Sequence, residues 1–214
     1  SLTEPYRLVL PYTRYMALSL LFFPAPQHIL LVGLGAGSLV RFFHHLFPQC
    51  IIDAVDHSQE IIDLAKDYFF LPRTASLNIY CEDGFKFLGN APKKEIYDLI
   101  LLDAFDEMGM AETIYNNAFF AACTKRLKPW GLFCANLWSG EETELARINQ
   151  ELADVFCLHL SCPVPNRGNV ISYAFQQIID WQKVQCHPLL TEQNNSGGVN
   201  FTEMLSHLRQ QHLS

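Results

Sequence analysis

The sequence predicts an α/β fold: a doubly wound, mostly parallel seven-stranded sheet with helices on both faces and an antiparallel hairpin at one edge. From residue 28 onward, short apolar runs alternate with segments of helical periodicity, and this alternation indicates parallel strands joined by helices. Residues 98–103 are apolar throughout their interior, as expected of a strand that is covered on both faces. Pro163, Pro165 and Gly168 separate the last two predicted strands, which favours the hairpin.

A helix at 12–23 precedes the sheet, and the prolines that follow it end it. Gly131 is predicted to end a helix and open the next strand, and the aromatic run at 68–70 is assigned to the core. The predicted strands are 29–32, 50–55, 77–81, 97–102, 131–137, 156–161 and 169–176. The predicted helices that follow are 37–47, 58–69, 84–89, 115–127, 141–155 and 201–210, with a flexible loop within 182–200.

A glycine-rich turn follows the first strand. Gly33, Gly35 and Gly37 stand at alternate positions, and the second strand is followed by Asp56. This is the layout of a nucleotide-binding βαβ unit, in which the glycines let a ligand approach the backbone and the acid accepts hydrogen bonds from a ribose. Ser38 stands where a dinucleotide fingerprint has its third glycine, and nothing basic in the turn would meet a pyrophosphate. The spacing is typical of enzymes that bind S-adenosylmethionine or a relative.

Acidic residues follow the next strands as well. Glu82, Asp83 and Gly84 come after the third strand, and Asp103 and Asp106 come after the fourth. Because the carboxyl ends of parallel strands meet at one edge, we expect these acids to converge there. The alternative for each acid is a helix N-cap, a position that aspartate favours.

Composition narrows the class of protein. The chain has 214 residues, of which 50% are hydrophobic and 17% charged, so it has enough apolar residues for a sizeable core. A net charge of −7 disfavours a nucleic-acid partner. Seven cysteines without a CxxC pair indicate reduced core residues in a cytoplasmic protein, and no metal site is expected. The apolar run at 16–23 is too short to span a membrane.

The chain is divided into a lead-in and helix at 1–27, a nucleoside-binding catalytic domain at 28–181, and a C-terminal loop and short helix at 182–214 that pack on the same domain. No internal repeat and no second domain is indicated. The sequence leaves the oligomeric state open, and a homodimer is one possibility.

The ordered set Gly33-Leu-Gly-Ala-Gly37, Asp56, Glu82-Asp83-Gly84 and Asp103-Ala-Phe-Asp106 resembles the catalytic domain of spermidine synthases. Residues 12–16, Tyr-Thr-Arg-Tyr-Met, are similar to the tyrosine-bearing helix of that family. The resemblance covers about residues 10–140 and implies a Rossmann-like methyltransferase fold. It also implies transfer of an aminopropyl group from decarboxylated S-adenosylmethionine to a small amine.

The resemblance assigns roles residue by residue. Asp56 would bind the ribose of the donor, and Asp83 would meet the adenine. Asp103 and Asp106 would hold and deprotonate the amine, and Tyr12 would line the pocket. Separately from the resemblance, the end of the fifth strand places Asn136 where it could line the acceptor pocket.

Three departures from the family pattern keep other functions open. Ala36 replaces an aspartate that would discriminate against the carboxylate of ordinary S-adenosylmethionine. Phe105 and Glu107 alter the acidic motif, and residues 163–168 replace a proline- and tyrosine-rich gate. The alternatives are a methyltransferase that uses intact S-adenosylmethionine on an unknown small acceptor, and a non-catalytic nucleoside-binding or scaffold module.

Overall fold

The computed structural model describes residues 3–23, 25–90, 96–106, 109–110, 113–191 and 196–212. Its strands are β1 (His28–Val32), β2 (Ile51–Asp56), β3 (Leu77–Cys81), β4 (Tyr97–Leu102), β5 (Phe105–Asp106), β6 (Gly109–Met110), β7 (Leu127–Trp138), β8 (Leu158–Pro163) and β9 (Asn169–Phe175). Its α-helices are α1 (Pro11–Ala17), α2 (Ser38–Leu46), α3 (Gln59–Tyr68), α4 (Gly84–Asn90), α5 (Asn117–Thr124), α6 (Glu142–Val155), α7 (Trp181–Gln185), α8 (Pro188–Thr191) and α9 (Phe201–His212). Two 3₁₀ turns cover Leu18–Leu21 and Ser196–Gly198.

Seven strands form one sheet in the order β3-β2-β1-β4-β7-β9-β8. The first five of these are mutually parallel, whereas β9 runs antiparallel to both β7 and β8. β5 and β6 form a separate two-stranded hairpin just after β4. The predicted fold class, including the antiparallel pair at the edge, is confirmed.

Two apolar clusters cover the two faces of the sheet. One contains Met16 of α1, Phe42 of α2 and Leu205 of α9, and the other contains Phe119 of α5 and Ile148 of α6. Burial of such side chains is the main contribution to the stability of a layered fold. The helix α9 therefore packs on the same core as α1.

A buried polar network crosses the sheet near the amino ends of its strands. The carboxylate of Asp53 on β2 accepts hydrogen bonds from His28 Nε2 at 2.9 Å, Asn78 Nδ2 at 2.8 Å and the Tyr97 hydroxyl at 2.9 Å. Burial alone would raise the pKa of Asp53, but these three hydrogen bonds outweigh it and hold the pKa below its ordinary value. One carboxylate thus fastens β1, β3 and β4 to β2.

Several local predictions are wrong. Gly131 does not open a strand, because β7 already begins at Leu127 and shifts register against β4 between Tyr97 and Leu99. The aromatic side chains of Tyr68, Phe69 and Phe70 are exposed rather than buried. The flexible loop, which the sequence predicts at 194–198, begins in residues outside the described ranges, and its end forms the 3₁₀ turn Ser196–Gly198.

All seven cysteines are free, as predicted, but Cys81, Cys157 and Cys186 are exposed rather than in the core. No helix within the described ranges has the length and hydrophobicity needed to span a membrane.

Candidate functional site

A cavity of about 390 Å³ opens at the carboxyl ends of β1, β2, β3 and β4. This edge is where open parallel sheets bind ligands. The predicted site residues that line the cavity are Gly33, Gly35, Asp56, Glu82, Asp83, Gly84 and Asp103. Asp56, Glu82, Asp83 and Asp103 therefore converge at one rim, whereas the side chain of Asp106 lies outside the described residues.

The first glycine brings the loop and β4 together. Gly33 has φ +94°, and a Cβ built on it would overlap the backbone carbonyl of Asp103. Gly35 has φ +49° and open space where a side chain would stand. Gly37 has φ +67°, takes the N-cap position of α2 and is not among the residues that line the cavity. The loop thus presents bare backbone to the cavity at Gly33 and Gly35.

The carboxylate of Asp56 fastens the glycine loop to the segment before α3. Its Oδ2 accepts the Leu34 N–H at 2.9 Å, and its Oδ1 accepts the Ser58 N–H at 3.0 Å. Each carboxylate oxygen has a second lone pair, so hydroxyl groups of a ligand can still donate to it. Asp56 is 9% exposed and reaches the cavity.

The acids after β3 lie at the start of α4. Asp83 Oδ1 accepts the Lys86 N–H at 2.9 Å, so Asp83 does cap the helix, as the alternative interpretation proposed. Its second oxygen takes no described hydrogen bond, and the residue lines the cavity. Glu82 accepts a hydrogen bond from Asn90 Nδ2 at 3.0 Å. Capping and ligand binding are therefore compatible at Asp83.

Asp103 lies between the cavity and α1. Its Oδ1 accepts a hydrogen bond from Asn136 Nδ2 at 2.9 Å, and the hydroxyl of Tyr12 also donates to it. Burial raises the pKa of the Asp103 carboxyl, against the two hydrogen bonds, which lower it. Burial also raises the pKa of Tyr12, so its hydroxyl stays protonated and remains a donor.

Tyr12 and Asn136 join the other predicted site residues only through Asp103. Both contact Asp103, but neither is among the residues that line the cavity, and Asn136 is only 1% exposed. The Asn136 amide therefore faces the Asp103 carboxylate, and its predicted contact with an acceptor stays a prediction. The backbone of Asp106 lies in β5, while its side chain and the whole of Glu107 lie outside the described residues.

Sequence reasoning missed three residues that support the site. The hydroxyl of Tyr115 accepts the Ala104 N–H and donates to the Asn136 carbonyl at 3.0 Å, so it links the ends of β4 and β7. Asn169 donates through Nδ2 to Asn136 Oδ1 at 2.9 Å. No local motif marks Tyr115 or Asn169, because both act through strand pairing and loop packing.

Arg41 is the third missed residue. Its guanidinium donates to the carbonyl oxygens of Ala36 at 2.6 Å, Phe69 at 2.5 Å and Pro5 at 2.7 Å. It thereby connects the glycine loop to the α3–β3 segment and to the segment before α1. Over the described part of the chain, no carboxylate pairs with this guanidinium, and no group of three or more His, Cys, Asp or Glu residues could hold a metal ion.

Comparison with known proteins identifies the family. The family described as "Spermine/spermidine synthase domain" matches residues 10–170. The polyamine aminopropyltransferase of Chromobacterium violaceum is 31% identical over 217 residues, which cover 98% of this chain and 80% of that protein. The polyamine aminopropyltransferase of Neisseria meningitidis serogroup A is 34% identical with the same coverage. The predicted transferase class agrees with the names of these relatives.

Solved structures share the fold. A spermidine synthase in complex with the transition-state analogue AdoDATO superposes with a TM-score of 0.71 at 17% identity, covering 91% of this chain and 72% of that chain. Human methyltransferase-like protein 13 in complex with SAH gives a TM-score of 0.72 at 22% identity, covering 92% and 90%. Together with the family match, these similarities confirm the predicted fold and resemblance: the chain belongs to the spermine/spermidine synthase domain family.

Proposed function

We propose that this protein transfers an aminopropyl group from decarboxylated S-adenosylmethionine to a small amine. The observation that carries the proposal is the common cavity of Asp56, Asp83 and Asp103, with Asp103 beside the bare backbone of the glycine loop. The relatives named polyamine aminopropyltransferase support the same reaction class.

The donor is held through its adenosine part. Asp56 accepts hydrogen bonds from the ribose hydroxyls, and the free oxygen of Asp83 accepts one from the adenine amino group. The backbone of Gly33 and Gly35 lines the cavity and lets the sulfonium end of the donor lie close to Asp103.

Asp103 receives the amine. A primary ammonium has a pKa of about 10.4, by analogy with lysine, so the acceptor arrives protonated and cannot attack carbon. The Asp103 carboxylate positions the ammonium and accepts one proton as the nitrogen forms its bond to the aminopropyl carbon. The carbon–sulfur bond breaks at the same time, its electron pair neutralises the sulfonium, and the proton passes on to water. Because the leaving group is neutral, most of the rate comes from holding nitrogen, carbon and sulfur in line.

The environment of Asp103 suits this role. Its raised pKa makes the carboxylate a stronger base than an exposed aspartate. The hydrogen bonds from Tyr12 and Asn136 orient it and keep the charged form available. Asp106 is proposed as the second contact of the amine, as the resemblance implies.

Methyl transfer from intact S-adenosylmethionine is the second candidate, and Arg41 favours it. The loop has Ala36 where the family has an acid, and the Arg41 guanidinium donates a hydrogen bond to the backbone carbonyl of Ala36 at 2.6 Å. A positive charge beneath this loop attracts the carboxylate that the decarboxylated donor lacks.

Calorimetric titration separates the candidates. We expect the decarboxylated donor to bind more tightly than S-adenosylmethionine, with methylthioadenosine also binding. Incubation with the decarboxylated donor and putrescine should yield an aminopropylated product by mass spectrometry. Preference for the intact donor would favour methyl transfer, and failure of all three nucleosides to bind would overturn both candidates.

The Asp56→Ala variant should lose about 1–3 kcal/mol of donor binding, while Asp67→Asn on the exposed side of α3 should bind normally.

A further inference from the structure

Two asparagine side chains stand in line behind Asp103. Asn169 Nδ2 donates to Asn136 Oδ1 at 2.9 Å, and Asn136 Nδ2 donates to Asp103 Oδ1 at 2.9 Å. The three residues come from β9, β7 and the end of β4, which are neighbours in the sheet. The line therefore crosses three strand ends and stops at the carboxylate.

The chemistry of the groups fixes the direction of this line. An ionised carboxylate only accepts hydrogen bonds, so Asn136 must turn its NH₂ group toward Asp103. The side-chain oxygen of Asn136, Oδ1, then faces Asn169. Asn169 must therefore turn its own NH₂ group toward that oxygen. If the group at position 169 could only accept, it would compete with Asp103 for the Asn136 NH₂ group, and Asp103 would lose that donor whenever the amide turned over.

The sheet holds these residues in place. Asn169 pairs with Trp138 in the β7–β9 register, two residues beyond Asn136 on the same face of β7. Asn136 is 1% exposed, and its backbone carbonyl accepts a hydrogen bond from the Tyr115 hydroxyl at 3.0 Å. The backbone at Asn136 is thus fixed, and Asn169 supplies the contact that fixes the orientation of its side-chain amide.

We propose that Asn169 is a positioning residue for the reaction: it orients the Asn136 amide so that an N–H group is directed at the catalytic carboxylate of Asp103. Asn169 need not touch either substrate. The inference that this matters for catalysis rests on the proposed function of Asp103, whereas the hydrogen-bond line itself does not.

Other groups around Asp103 bear on the test. Burial raises the pKa of each titratable neighbour, so these stay neutral at neutral pH: Tyr12 from α1, Tyr115 from the segment before α5, and Cys134 from β7. The other titratable groups that line the same cavity are Asp56, His57, Glu82 and Asp83. Among the described contacts, none of these groups hydrogen-bonds to Asn169.

The test is the Asn169→Asp variant, in which the residue can only accept and competes with Asp103 for the Asn136 NH₂ group. Its matched control is Asn166→Asp, which adds the same charge at an exposed position of the same hairpin. Asn169→Ala removes the donor without adding charge and serves if Asn169→Asp folds poorly. We would titrate the ¹³C-labelled Asp103 carboxyl by NMR in the full chain, with Asp103→Asn to assign the signal, and record kcat against pH.

We expect the titration midpoint of Asp103 to rise by about one pH unit or more in Asn169→Asp, and by less in Asn169→Ala. The acidic limb of the kcat profile should move with it, while donor affinity and the Asn166→Asp control stay as in the wild type. An unchanged Asp103 midpoint in Asn169→Asp would overturn the orienting role. If the Asp103 midpoint shifts in Asn169→Asp but the wild-type protein transfers no aminopropyl group, the orienting role of Asn169 stands and the proposed function is refuted.

Discussion

Gly33 lies directly against the backbone carbonyl of Asp103, so close that no side chain fits between them. The Gly33→Ala variant must push these segments apart and also strain a residue at φ +94°. We expect a loss of about 1–3 kcal/mol in the free energy of unfolding and a loss of donor binding. Urea denaturation and calorimetry would measure both effects.

The control for that variant is Gly89→Ala in α4, where nothing lies within 4 Å of the added carbon. This variant should unfold at equal or slightly higher urea, since alanine favours a helix over glycine by about 1 kcal/mol. Equal stability of the two variants would show that the close approach at Gly33 carries no cost.

The Asp103→Asn variant should lose about 10²- to 10⁴-fold in kcat if Asp103 accepts the proton. The same variant should be more stable than the wild type at neutral pH. Because burial raises the pKa of Asp103, the folded protein binds this proton more tightly than the unfolded chain, and stability is lost as pH rises through the raised pKa. The variant should therefore have a higher Tm than the wild type at neutral pH, and the gap should close at acidic pH. A lower Tm at every pH would contradict the burial argument.

Removing the hydroxyl of Tyr12 tests the second hydrogen bond to Asp103. In Tyr12→Phe, the charged carboxylate loses a donor, so its pKa should rise further and the acidic limb of the kcat profile should move upward by up to about one pH unit. Tyr15→Phe is the matched control on the same helix, because that hydroxyl contacts His207 Nδ1 at 3.1 Å. Identical pH profiles for both variants would rule out a contribution of Tyr12.

The network at Asp53, which does not line the cavity, predicts an acid-dependent contribution to stability. Its folded pKa lies below the unfolded value, so its contribution is present above the unfolded pKa and is lost as pH falls through the folded pKa. Asp53→Asn turns an amide N–H toward groups that donate, and should cost about 1–3 kcal/mol at neutral pH. The difference in Tm from the wild type should shrink below pH ~4. Persistence of the full difference at low pH would place the effect in packing rather than in charge.

The strands of the site could be predicted from sequence because each is a short apolar run that ends in a glycine or an acid. β3 and β4 have the predicted bounds. The sequence predicts the start of β7 too late, at residue 131, because Pro129 lies inside the strand and a proline ordinarily argues against one. The register against β4 shifts in this part of β7. The prediction that Phe70 lies in the core is wrong, and 63% of its surface is exposed. Hydrophobicity alone does not reveal which side of a helix end faces solvent.

The acids of the site were predicted because they follow strands in order, whereas Asn169 and Tyr115 were not. Their partners are 33 and 21 residues away, and only the pairing of β7 with β9 and the folding of the loop over β4 bring them together. No periodicity within a single segment carries that information.

Arg41 gathers carbonyl oxygens from three separate segments, and one of them belongs to Pro5. The shape of the glycine loop at the nucleoside-binding cavity is therefore linked to residues that do not line that cavity. By reciprocity, a nucleoside bound in the cavity should shield the peptide bonds near Pro5 from proteolysis. Cleavage near Pro5 should in turn weaken nucleoside affinity, although every acidic residue of the site stays intact.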